Sequence, residues 1–128
     1  MQRTYTISTG RSRMETKWVN RQITWEALTR RLAKTKRTAE TVAEYRAMKK
    51  PQKGQVKDIG GFVGGAIEGG RRKAEAVKHR SLVTLDIDYA TPETPEIIAD
   101  MLSGTAWCIY TTHGHTDDSP RFRLVVPL

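Results

Sequence analysis

The chain has 128 residues, enough for one small domain with a single hydrophobic core, and it carries a formal net charge of +8. Cys108 is the only cysteine, which excludes an intramolecular disulfide and a cysteine-rich zinc site and is typical of a reducing compartment. No apolar run approaches the ~20 residues of a membrane span, and the N-terminus lacks the apolar core of a signal peptide, so we expect a cytoplasmic protein with no membrane partner.

The first elements in chain order are a strand and two helices. Residues 4–9 alternate in the manner of a strand and are followed by Gly10, which predicts an edge or neighbouring strand of a sheet. Thr24 is placed to cap a helix over residues 25–34. We expect a second helix after it, which Pro51 stops because proline disrupts a helix interior.

Residues 1–52 form a basic strand-and-helix half of the chain. Counted over residues 1–58 there are 15 Lys/Arg and 5 Asp/Glu, whereas residues 59–128 contain 7 Lys/Arg and 9 Asp/Glu. A basic surface beside an acidic region suits a protein that acts on nucleic acid, because backbone phosphates attract Lys and Arg. The alternative is a solvated face that only keeps the chain soluble.

A glycine-rich, basic loop is predicted over residues 53–80, which contain seven of the ten glycines. It lacks the Gly-Lys-Ser/Thr ending of a P-loop. Apolar side chains such as Phe62 favour an ordered loop over a flexible linker, and glycine lets a backbone approach a ligand closely, so we expect this loop to form one wall of a site. The basic residues that close the glycine run are candidates for nucleic-acid contact: Arg71, Arg72 and Lys73.

Residues 81–128 are predicted to form a β–α–β–β unit and to carry the metal and nucleotide. Apolar and β-branched runs predict the strands, and an apolar stripe after Pro95 predicts the helix. If the first two strands run parallel in one sheet, their C-terminal ends lie at the same edge of that sheet. The fold class is therefore predicted as α+β.

Asp86 and Asp88 close the first of these strands. Residues two apart in a strand share a face, so the two carboxylates are expected to point the same way. Neighbouring carboxylates repel each other unless a cation joins them, and oxygen ligands of this kind suit Mg²⁺ or Mn²⁺. The alternative is a strand that ends in a polar turn.

Further polar groups follow the neighbouring strands. His113 comes directly after the second strand, and Arg121 and Arg123 stand at the start of the third. Arginine binds phosphate with two parallel hydrogen bonds, and loops at strand ends commonly carry sites. Carboxylates for a metal, an imidazole and two guanidinium groups together predict a site for a nucleoside triphosphate.

Three motifs carry a resemblance to a known family: Leu85-Asp86-Ile87-Asp88, Thr111-Thr112-His113, and the strand over residues 120–127. They resemble the catalytic subunits of the archaeo-eukaryotic primase superfamily, and most closely the helicase-fused primase-polymerases of phages and plasmids, of the virulence-associated E type. The Asp-x-Asp motif of that family matches Asp86 and Asp88. Its Ser-x-His motif matches with Thr111 in place of serine, and its third acidic motif does not occur before Leu128.

The resemblance implies an RRM-like sheet and a single, partial catalytic domain over residues 1–128, cut before the third motif. It also implies a nucleotidyltransferase that extends a 3′-hydroxyl on a single-stranded DNA template during phage or plasmid replication, with a fused or separate helicase as partner. Asp86 and Asp88 would hold Mg²⁺ or Mn²⁺, His113 would hydrogen-bond the triphosphate, and Arg121 or Arg123 would pair with its phosphates. Activity without the third motif is left open.

Three other interpretations remain open. His113-Gly114-His115 is similar to the paired histidines of HUH-type replication-initiator nucleases, although glycine replaces the bulky apolar residue between them. The Asp86-x-Asp88 pair is similar to that of haloacid-dehalogenase-type phosphatases, although Ala90 stands where those proteins have Thr or Val. A non-catalytic RRM-like module that binds nucleic acid is the third, with Tyr110 and Phe122 as its few candidate stacking residues.

Overall fold

The computed structural model describes residues 2–128, which form eight strands and four helices. The strands are β1 (Thr4–Gly10), β2 (Val19–Thr24), β3 (Gly61–Val63), β4 (Gly65–Ile67), β5 (Val77–Arg80), β6 (Leu82–Ile87), β7 (Cys108–Thr111) and β8 (Phe122–Pro127). The helices are α1 (Trp25–Leu32), α2 (Val42–Ala47), α3 (Lys50–Val56) and α4 (Thr94–Met101), and a single 3₁₀ turn spans Ala74–Ala76. The predicted α+β class is confirmed.

The N-terminal sheet has the order β2-β1-β3, with both pairs antiparallel. The strand predicted at residues 4–9 is present as β1, and it is the central strand of its sheet, not an edge strand. The burial of β1 side chains fits this central position. Tyr5 and Ile7 are buried in the core, and Ser8 and Thr9 are also covered by neighbouring strands. The partner strands β2 and β3 were not predicted.

The helices α1 and α2 begin at side-chain caps that the sequence shows. Thr24 accepts a hydrogen bond from the backbone N–H of Ala27 and starts α1, and Thr41 forms a capping box with Glu44 at the start of α2. The predicted role of Pro51 is wrong: α2 ends at Ala47, and Pro51 lies in the first turn of a further helix, α3. Proline fits there because the first N–H groups of a helix have no intrahelical acceptor.

The C-terminal sheet has the order β6-β8-β7. Both β6 and β7 are antiparallel to β8, so they run in the same direction with β8 between them. This is the split β–α–β arrangement, with α4 connecting the two outer strands. The predicted β–α–β–β unit is therefore present, and the C-terminal ends of β6 and β7 lie at the same end of the sheet, beside the start of β8.

One hydrophobic core joins the two halves of the chain. It is built from side chains of β1, α1, β6 and β8: Tyr5, Ile7, Leu28, Leu82 and Val125. Backbone contacts reinforce the junction, since the Ser81 hydroxyl accepts a hydrogen bond from Thr6 N and the Ser81 carbonyl accepts one from Leu128 N. A second, smaller core lies under the glycine-rich segment and contains Trp18, Ile67 and Ala76.

Candidate functional site

A row of three polar side chains crosses the C-terminal sheet on one face. Arg123 of β8 lies in register with Asp86 of β6 on one side and with Tyr110 of β7 on the other. The Arg123 Nε donates a hydrogen bond to Asp86 Oδ1 at 2.6 Å, and its guanidinium also reaches the Tyr110 hydroxyl at 3.5 Å. The sheet register thus brings together Asp86 and Arg123, two of the residues predicted to form the site.

Electrostatics in this row keep the guanidinium charged and the phenol neutral. Partial burial by itself lowers the pKa of Arg123, but the hydrogen bond to Asp86 and the contacts with Tyr110 outweigh it, so the pKa is raised above its ordinary value. Burial raises the pKa of Tyr110, and the nearby charge of Arg123 only partly opposes that effect. Arg123 is therefore a permanent positive charge fixed over the middle strand of the sheet.

A cavity of about 160 Å³ opens beside Asp86. One wall is the face of the C-terminal sheet, with Thr84, Asp86 and Arg123. The facing wall comes from the glycine-rich segment and the residues that follow it: Phe62, Val63, Gly64, Arg72 and Arg80. Three arginines and one aspartate therefore line one small space.

Two glycines explain how the glycine-rich segment comes so close to the sheet. A Cβ on Gly64 would lie 3.0 Å from both the Cβ and the carbonyl oxygen of Leu82, and a Cβ on Gly65 would overlap the carbonyl oxygen of His79. The Gly64 carbonyl accepts hydrogen bonds from Ser81 N and Leu82 N, which fixes the segment against the start of β6. The absence of a side chain at Gly64 allows β3 and Gly64 itself to form part of the cavity wall.

Asp88 lies one residue beyond the end of β6 and is exposed, outside the cavity lining. Within residues 2–128 there is no group of three His, Cys, Asp or Glu side chains that could hold a metal ion. Mg²⁺ is commonly held by one or two carboxylates together with substrate phosphates and water. The donor set of Asp86 and Asp88 fits that mode of binding, and it does not fit a cage built from protein ligands alone.

His113 lies in a loop after β7 and packs against α2. The His113 and Tyr45 rings meet edge-on, with their centroids 4.7 Å apart. Lys53 of α3 also lies over the Tyr45 ring, with its Nζ 5.4 Å from the ring centroid. The pKa of Glu40 is lowered, chiefly by a hydrogen bond from the Thr38 side chain and in smaller part by the charge of His113. His113 thus contacts the basic helical half of the chain. Within residues 2–128, no hydrogen bond or ring contact joins it to Asp86 or Arg123.

Arg121 and His115 hold the same loop closed. The backbone N–H of Arg121 donates to His115 Nδ1 at 3.1 Å, and its carbonyl accepts from Thr112 N at 3.1 Å. The Arg121 side chain lies across Gly114, where an added Cβ would come within 3.2 Å of Arg121 Cδ. His113 and His115 therefore have different partners, since the ring of His115 packs on Phe122.

The basic tripeptide after the glycine run is exposed throughout. Arg72 lines the cavity, whereas Arg71 and Lys73 do not. Gly70, just before it, has a φ of 76° and accepts a hydrogen bond from Trp18 N at 2.8 Å, which ties the tripeptide to the N-terminal sheet. The prediction that these three residues contact nucleic acid stays a prediction.

Arg80 was not predicted as a site residue, and Tyr110 was predicted only as a candidate stacking residue of a nucleic-acid-binding module. Arg80 has no local signal, because it ends β5 whereas Thr84 and Asp86 belong to β6 of another sheet. Tyr110 has no such signal, because its position beside Arg123 follows from the register of β7 on β8.

Comparison with known families identifies a VapE-like protein of the kind that functions in phage or plasmid replication. The model of the VapE N-terminal domain matches residues 1–128, and the chain therefore belongs to this family. Searches among curated proteins and among solved structures gave no significant match. Within residues 2–128, none of the helices has the length and apolar character needed to cross a membrane.

Proposed function

We propose that the chain is part of the catalytic domain of a primase-polymerase. The domain would bind a nucleoside triphosphate with Mg²⁺ or Mn²⁺ and transfer a nucleoside monophosphate to a 3′-hydroxyl on a single-stranded DNA template. A helicase, fused or separate, would supply that template. The family match supports the setting in phage or plasmid replication, and the resemblance of the Asp86-x-Asp88 and Thr111-x-His113 motifs to those of primases supports the chemistry.

The observation that carries the proposal is the contact between Asp86 and Arg123 at the rim of a cavity. A carboxylate that can bind a cation and a guanidinium that can bind phosphate are 2.6 Å apart, Asp86 Oδ1 to Arg123 Nε. Transfer of a nucleotidyl group requires a cation and phosphate oxygens to be held close together, and this pair offers a ligand for each.

Each predicted site residue has its own role in the proposed reaction. Asp86 and Asp88 would hold the cation, which neutralises phosphate charge when it is bound. Arg123 would turn from Asp86 to the phosphates as the cation takes its place, and Arg121 would lie beside it at the start of β8. His113 would reach the triphosphate from the loop after β7, by exchanging its contact with Tyr45 for one with the ligand.

The test is nucleotide incorporation by the full-length protein that contains this chain. Labelled nucleotides, Mn²⁺ and single-stranded DNA are incubated with the wild type, with Asp86→Ala/Asp88→Ala, and with Asp100→Ala, a control carboxylate on the exposed side of α4. We expect extended products with the wild type and the control and none with the double variant.

Two other results would contradict the proposal. Cleaved DNA joined covalently to the protein would indicate the HUH-type nuclease. DNA binding that both variants retain, with no products from the wild type, would indicate a non-catalytic RRM-like module.

A further inference from the structure

Arg72 and Arg80 line the same cavity as Asp86, although neither belongs to a motif shared with primases. Arg80 is the last residue of β5, and Arg72 lies between β4 and the 3₁₀ turn. The two arginines line the cavity from segments other than the C-terminal sheet, to which Arg123 belongs. Their convergence from separate segments of the chain is a feature of the fold and not of local sequence.

The charges in the cavity do not balance. Asp86 is its one carboxylate, and its Oδ1 already accepts a hydrogen bond from Arg123. Within residues 2–128 no ion pair and no hydrogen bond involves the side chain of Arg72 or Arg80. Among the described residues, neither arginine is held in an ion pair, and the one carboxylate whose charge Arg72 senses is Asp58, outside the cavity lining. Two arginines of this kind at one concave space form a site that attracts an anion.

The size of the cavity limits which anion fits. The cavity measures about 160 Å³. Pockets that enclose a whole small-molecule ligand measure about 300–1,000 Å³. The cavity therefore has room for phosphate groups, whereas a base and sugar must lie outside it.

We propose that Arg72 and Arg80 bind the phosphate tail of the nucleoside triphosphate in this cavity, which Arg123 also lines. This inference rests on the proposed function for the identity of the nucleotide, and it assigns the phosphate-binding residues to the glycine-rich half of the site. A nucleic-acid strand is the less suitable ligand for this cavity. Single strands bind along continuous grooves with aromatic stacking surfaces, and Phe62 is the only aromatic residue of the cavity lining.

The test is binding of inorganic tripolyphosphate, measured by calorimetry without metal on the whole protein. The variants are Arg72→Gln, Arg80→Gln and the double variant. Lys78→Gln is the matched control, because Lys78 is an exposed cation two residues before Arg80 on β5 that pairs with Glu68 outside the cavity. Thermal unfolding of each variant shows that the fold is retained.

We expect each single variant to weaken tripolyphosphate binding about tenfold, the order expected for loss of one charge-assisted contact, and the control to bind as the wild type does. Equal affinity in the wild type and the double variant would overturn the inference. So would a loss that appears only with a single-stranded DNA oligonucleotide and not with tripolyphosphate. Tripolyphosphate binding that depends on both arginines, in a protein that incorporates no nucleotide, would refute the proposed function and leave this inference standing.

Discussion

Arg123 and Asp86 lie directly opposite each other on neighbouring antiparallel strands, and the guanidinium Nε donates to the carboxylate Oδ1 at 2.6 Å. The side chains are 39% and 56% exposed, respectively. Ion pairs with this much access to water contribute about 0–1 kcal/mol to stability. The pair is therefore easily broken, and a ligand that offers Arg123 a phosphate and Asp86 a cation loses little free energy in separating them.

Asp86→Asn is expected to separate stability from ligand binding. The amide keeps the shape of the carboxylate, so the free energy of unfolding in urea should change by less than about 1 kcal/mol. Binding of a nucleotide in the presence of Mg²⁺ should fall at least tenfold, because a neutral amide is a weak cation ligand. Asp100→Asn serves as the control and should change neither measurement. Unchanged Mg²⁺-dependent affinity in Asp86→Asn would remove Asp86 from the site.

Gly65→Ala and Gly61→Ala form a matched pair in the glycine-rich segment. An alanine Cβ at position 65 would overlap the His79 carbonyl oxygen, whereas at position 61 there is no atom within 4 Å. Overpacking of this kind costs about 1–3 kcal/mol, so Gly65→Ala should lower the midpoint of urea unfolding. Gly61→Ala should be neutral or stabilising, because alanine reduces the entropy of the unfolded chain. Similar destabilisation by both changes would show that the close approach of β4 to β5 is not the cause.

Asp58→Asn tests an acid-dependent link between the N-terminal sheet and α3. The pKa of Asp58 is lowered, first by a hydrogen bond from the Arg13 backbone and then by the Ser12 hydroxyl and the charges of Arg13 and Arg72, with burial opposing them. Because the folded-state pKa is depressed, the stabilisation is present above the ordinary value of 3.8 and is lost as the pH falls through the folded-state pKa.

The stability difference between wild type and Asp58→Asn should therefore be largest at neutral pH and should shrink below pH 3.8. Urea unfolding at a series of pH values measures it. A difference that is independent of pH would show that the carboxylate charge does not matter.

Cys108 is expected to react slowly for a free thiol. It is partly buried in β7, and this burial raises its pKa above the ordinary 9.0. Fewer thiolates are then present near pH 9, and alkylation by iodoacetamide should be several-fold slower in the native protein than in denaturant. The raised pKa also means that its contribution to stability is complete below pH 9.0 and is lost as the pH rises through the folded-state value. Equal alkylation rates in the two states would contradict the burial of the thiol.

The sequence predicts best the elements whose signals are local. Thr24 marks the start of α1 because its side chain caps that helix, and the apolar, β-branched run from Leu82 to Ile87 forms β6, anchored in the core by Leu82. The β–α–β–β order of the second half follows from the same reasoning. The pairing of Asp86 with Arg123 does not, because the sequence shows neither that β8 lies between β6 and β7 nor which residues stand opposite each other.

The glycine-rich segment was predicted as one loop, and it contains strands that the sequence pattern could not show. The strands β3 and β4 have three residues each, too few for an alternating pattern to be recognised. Their stability comes from partners far along the chain, as in the pairs of Phe62 with Thr9 and of Ala66 with His79. For the same reason Arg80 was assigned no role, since its neighbours in the cavity are set by tertiary structure.

The position of β8 between β6 and β7 has a consequence for synthesis on the ribosome. The outer strands emerge first, and neither can complete its hydrogen bonding until residues 122–127 have left the exit tunnel. Until then two apolar strand edges remain open to other chains. Translational pauses that hold β8 in the exit tunnel after β6 and β7 have emerged would prolong that interval and should raise the fraction of aggregated nascent protein.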